Sequence, residues 1–150
     1  MNELILIQDD QATLRLDFVD AESRLPSSCF DVHFDWQMPS EHVQLKRKEL
    51  WFEDQTLSSF EKNLSEFIEE KNDAVVLKDM SGRPLISIQR SQECIKIRIH
   101  SEDLSKMGSM LFEWNAYPQE IEDMRIKLKE YPAWWRSQQG ASHNAGKPAS

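Results

Sequence analysis

The apolar period of this chain changes once in each half, and that change limits what it can fold into. Leu14, Leu16 and Phe18 alternate with polar residues, as do Phe30, Val32, Phe34 and Trp36. A period of two marks strands with one face inside. Residues 3–8 add a further run, and "DAESRLPSS" between the two main runs reads as a connecting loop. Residues 43–52 continue as a strand whose parity shifts from Val43 and Leu45 to Leu50 and Phe52, which calls for a bulge near Lys46–Lys48. The spacing then turns helical: Leu57, Phe60, Leu64, Phe67 and Ile68 share one face, opposite Ser58, Glu61, Lys62, Ser65, Glu66 and Glu69. It predicts a helix over 54–71, with Asp54 or Thr56 supplying the N-cap oxygen.

The second half repeats this order. Strands are expected near 74–79, 84–90, 93–100 and 109–114, with "MSGRP" as turn chemistry between the first two. A helix over 118–131 follows, with Pro118 in its first turn and Ile121, Met124, Leu128 and Tyr131 as the buried stripe. The expected fold is therefore α+β: a largely antiparallel sheet of about six to eight strands, two amphipathic helices on one face, and the order strands-helix-strands-helix. Residues 1–136 form one globular domain in this reading. Residues 137–150 hold no apolar side chain larger than Ala and are expected to form a disordered tail.

Charge and missing motifs narrow the function. The 150 residues carry a net charge of -8, which repels phosphate backbones, so nucleic acid is not an expected partner and a basic protein is. No apolar run approaches the length of a membrane span, and the start MNELILIQDD lacks a basic n-region, so a cytoplasmic protein without a membrane partner is expected. Cys29 and Cys94 are expected to be reduced. The four glycines, at 82, 108, 140 and 146, cannot build a phosphate loop or dinucleotide fingerprint, and neither a nucleophile elbow nor a zinc-binding H-E-x-x-H is present. No cofactor is expected.

Alternation places Cys29, Asp31, His33 and Asp35 on one strand face. Cys29 and His33 would then stand about 13 Å apart, too far to share a metal. Cross-strand ion pairs with Lys96 and Arg98 are the expected use of that face. Paired acids such as Glu69 with Glu70, or Glu120 with Asp123, fall on solvated helix faces where nothing displaces a carboxyl pKa. Of five tryptophans, Trp36, Trp51 and Trp114 are expected to pack in the fold. Trp134 and Trp135 either fold back as a cap on the sheet or form an exposed aromatic anchor.

The stretch from "HVQLKRKELWFEDQTLSSFEKNLSEF" through "DAVVLKD", "PLISIQ", "CIKIRIH" and "MLFEWNAYPQEIEDMRIKLKEY" resembles small bacterial proteins grouped with polymorphic-toxin immunity proteins, the WapI type among them. Trp51, Phe52, Leu57 and Phe60 at the strand-to-helix junction, and Phe112, Glu113 and Trp114 before the last helix, carry the resemblance. It implies a small cytoplasmic binder that blocks a cognate toxin rather than a catalyst.

The expectation is thus a noncatalytic domain that binds a basic protein, such as a toxin domain, through an acidic face. Glu61, Glu66, Glu69, Glu70 and Asp73 are the expected contacts, with Trp134 and Trp135 as anchors. The alternatives are a small-molecule-binding or enzymatic domain with a pocket between sheet and helices using His33, His100 and Cys94, and a structural homodimer subunit.

Overall fold

A computed structural model describes residues 3–92, 94–102 and 108–132. Its elements run β1 (Glu3–Gln8), β2 (Ala12–Glu22), β3 (Ser27–Met38), β4 (Glu41–Glu53), α1 (Asp54–Ile68), β5 (Ala74–Lys78), β6 (Pro84–Ser91), β7 (Cys94–Glu102), β8 (Ser109–Ala116) and α2 (Pro118–Glu130). The fold is α+β, antiparallel throughout, in the order strands-helix-strands-helix. The strands divide into two four-stranded meanders, β1-β2-β3-β4 and β5-β6-β7-β8, where alternation alone suggested a single sheet. Trp134, Trp135 and the expected tail lie outside the described residues.

Local chemistry explains the boundaries. The expected loop before β3 shrinks to residues 23–26, because β2 and β3 extend their ladder to Glu22 and Ser27. The bulge in β4 falls at Lys48 and Glu49, both opposite Asp31, and Glu49 takes a left-handed φ of 57°. The Asp31 carboxylate accepts the Glu49 N–H at 2.9 Å, which holds the extra residue in place. The β5–β6 turn closes on Asp79, whose Oδ1 accepts from the Ser81 N–H, the Ser81 hydroxyl and the Arg83 N–H, while Gly82 supplies φ 84°.

One core joins both sheets and both helices. Helix α1 touches α2, β3, β4 and β5, and α2 touches β1, so the helices are shared between the two sheets rather than laid on one. Phe60, Leu64 and Phe67 are almost fully buried in α1, as are Ile121, Met124 and Leu128 in α2. Each contributes about 1.5–3 kcal/mol through burial. The sheets meet directly at an aromatic cluster: the Phe34 ring lies 5.0 Å from Phe112, and Trp36 lies 5.3 Å from Trp114. Trp51, expected inside, stands opposite Cys29 and remains half-buried outside that core.

Candidate protein-docking face

The acids singled out above are placed by the C-terminal end of α1. The helix stops at Ile68, three residues earlier than its period suggested, in a Schellman turn: Lys71 N–H donates to the Glu66 carbonyl at 2.8 Å and Glu70 N–H to the Phe67 carbonyl at 3.0 Å. Glu70 occupies the left-handed position of that turn at φ 60°, where glycine is usual. Glu70 and Asp73 therefore project from the turn beyond the helix, not from its face.

The turn gathers Glu66, Glu69, Glu70 and Asp73 at one end of α1, the last three exposed. Lys71 pairs with Glu69 at 3.0 Å; that hydrogen bond raises the Lys71 pKa, and the charges of Glu69 and Glu66 add to the effect. Arg90 of β6 answers from the second sheet. Its guanidinium sits 4.2 Å above the Phe67 ring, donates to the Phe67 carbonyl and lies 3.6 Å from Asp73. Four carboxylates thus face two cations. Glu61 does not belong to this group, because it is half-buried and its charge acts on Arg125 of α2. The positions of Trp134 and Trp135 relative to this face fall outside the described residues.

The residues proposed for a small-ligand pocket do not converge. Cys94 and His100 stand at opposite ends of β7, about 20 Å apart at strand rise, and His33 belongs to the other sheet. His100 is held by the Ser87 hydroxyl at 2.9 Å; burial lowers its pKa and Arg98 adds to the lowering. Burial pushes the Cys29 thiol up to about 11, with Glu49, Asp31 and Asp20 contributing, so it is a poor nucleophile. Cys29 and Cys94 are both free thiols.

The outer face of β2–β4 is polar as expected, but its partners differ. His33 pairs with Asp17 at 3.1 Å and His42 with Asp35 at 2.6 Å, all within the first sheet. Arg98, expected as a partner here, lies in the second sheet and pairs with Glu113 at 2.6 Å. Lys96 is on that second sheet too, opposite Gln89 and Asn115. Among the described residues no group of three or more His, Cys, Asp or Glu side chains is placed to hold a metal ion, and no helix is long and apolar enough to cross a membrane.

Sequence reasoning overlooked Arg90. Its value lies in a contact with α1 across 23 residues of chain, which no local pattern records. Comparison with family models, curated proteins and solved structures finds no match for this chain.

Proposed function

We propose that this chain is a noncatalytic protein-binding domain, an immunity-type inhibitor that engages a basic partner such as a toxin domain through the acidic end of α1. The supporting observation is the siting of Glu66, Glu69 and Glu70 at a helix C-terminus, where the helix dipole disfavours negative charge, with Glu70 in a backbone conformation costly for any residue but glycine. Fold stability alone selects against both choices. A docking face that must present carboxylates to lysines and arginines favours them, because such charges speed encounter and reject acidic competitors. Trp134 and Trp135, outside the described residues, are the aromatic anchors of this proposal.

Affinity capture from a lysate of the source organism tests the reading, with the intact chain and a Glu66→Lys/Glu69→Lys variant as parallel baits. A basic protein held by the first bait, released by high salt and lost from the second is the expected result. Equal capture by both baits rules out the α1 end as the docking face.

A further inference from the structure

Arg47 breaks the pattern of its own strand. Leu45 of β4 packs against the core, and Arg47 follows at the same parity, opposite the buried Val32. It is half-buried between the sheets, with Nη1 3.5 Å from the His100 carbonyl, and among the described residues no carboxylate lies within ion-pair distance of it. A guanidinium in this setting ordinarily carries a partner, because a desolvated charge without one is costly.

The charge that acts on it most strongly is a second guanidinium. Arg83, on the β5–β6 turn, is fixed by Asp79 Oδ2 at 3.2 Å and by the Glu102 carbonyl at 2.8 Å. Burial lowers the Arg47 pKa and the positive charge of Arg83 lowers it further, against smaller opposing contributions from Asp79 and Glu102. Arg47, Lys48 and Arg83 line a cleft of about 510 Å³, with Ser101, Ser109 and the exposed Glu102 also among its walls. The Asp79 carboxylate is already committed to Arg83 and to the turn it closes.

We propose that this cleft is a binding site for the phosphate group of a small ligand. Arg47, Arg83 and Lys48 carry three positive charges against the carboxylates of Asp79 and Glu102, and with two serines they leave N–H and O–H donors and a net positive charge that a phosphate accepts. The cleft has the volume of a small-molecule site. It involves none of the α1 acids, so it stands apart from the docking proposal.

The test is a thermal-shift titration of the full chain with inorganic phosphate at constant ionic strength, beside parallel titrations with acetate and chloride. A saturable rise in Tm with phosphate, a weaker one with acetate and none with chloride is expected. Arg47→Gln should weaken the phosphate response at least tenfold, Lys48→Gln should weaken it several-fold, and Lys129→Gln on α2 should leave it unchanged. Without phosphate, Arg47→Gln should fold with an unchanged or higher Tm, because it relieves repulsion from Arg83. A phosphate response equal to that of chloride, or undiminished in Arg47→Gln, overturns the site and leaves Arg47 as an inward charge that protects the edge of β4.

Discussion

The two helices do the same packing work and end in opposite ways. Helix α2 is finished by residues next to it in sequence: Pro118 starts it, the Glu120 carboxylate accepts the Tyr117 N–H at 2.9 Å, and Lys127 and Lys129 sit in its last turn, where the dipole favours them. Helix α1 closes locally in its Schellman turn but is also held at both ends by residues far away. Its first N–H donates to the Pro26 carbonyl, the Asp54 side chain is buried against the Ser28 hydroxyl at 2.8 Å, and Arg90 donates to the Phe67 carbonyl. One Asp54 oxygen has no hydrogen-bond partner among the described residues, and burial raises that carboxyl's pKa despite the Ser28 bond. A helix whose ends are held by tertiary contacts is free to carry acids where local rules forbid them. That freedom is what the docking proposal uses.

If the helices differ only at their ends, their cores must fail together. Phe60→Ala in α1 should cost about 3–5 kcal/mol and Leu128→Ala in α2 about 2–5 kcal/mol. Urea unfolding followed by tryptophan fluorescence and by far-UV circular dichroism should give coincident single transitions for both variants. A second transition in Leu128→Ala alone would divide the molecule into two cooperative units and end the comparison.

The ends should then fail unequally. Arg90→Met keeps the apolar stem over Phe67 but removes a charged hydrogen bond, at a cost of about 1.5–3 kcal/mol. Glu120→Ala removes one cap bond from α2 and should cost about 1 kcal/mol. Hydrogen exchange locates each loss: Arg90→Met should loosen the last turn of α1, and Glu120→Ala the first turn of α2. Equal losses would mean that α1 is as self-sufficient as α2.

The same contrast explains what the sequence made legible. Helix α2 was expected over 118–131 and runs Pro118–Glu130, because its signals are local. Helix α1 was expected over 54–71 with a side-chain cap from Asp54 or Thr56. It ends at Ile68 in the Schellman turn of Glu70 and Lys71, and its N-cap position, Glu53, makes no side-chain cap bond; the Pro26 carbonyl takes the first N–H and Arg90 reaches the Phe67 carbonyl from elsewhere. Strands were readable from alternation wherever one face is buried, but alternation says which side is inside and nothing about which strands pair, so two sheets looked like one. The acids of the candidate face were visible as residues. Their grouping depends on a turn with a left-handed Glu70, and sequence offers no glycine there to announce it.

Glu70→Gly probes that turn. It removes the penalty of a left-handed β-carbon and should stabilise the fold by about 1 kcal/mol, less whatever the extra freedom of glycine returns to the unfolded chain. On the docking proposal the same change weakens capture of a basic partner while raising Tm. A stabilised variant with undiminished capture would assign Glu70 to the turn alone.

The smallest effect separates dipole from docking most cleanly. Glu66→Lys places a cation at the C-terminal end of α1 and Lys127→Glu places an acid at that of α2, so the two changes should shift stability by about 0.3–1 kcal/mol in opposite directions, upward for the first and downward for the second. Both shifts should shrink in high salt, since exposed charges are screened. Arg90 already answers part of the negative end of α1, so the gain from Glu66→Lys should be the smaller of the two and should grow in an Arg90→Met background. Without that growth, Arg90 does not act as the charge partner of this helix end, and the acids of α1 would be tolerated for a reason other than its presence.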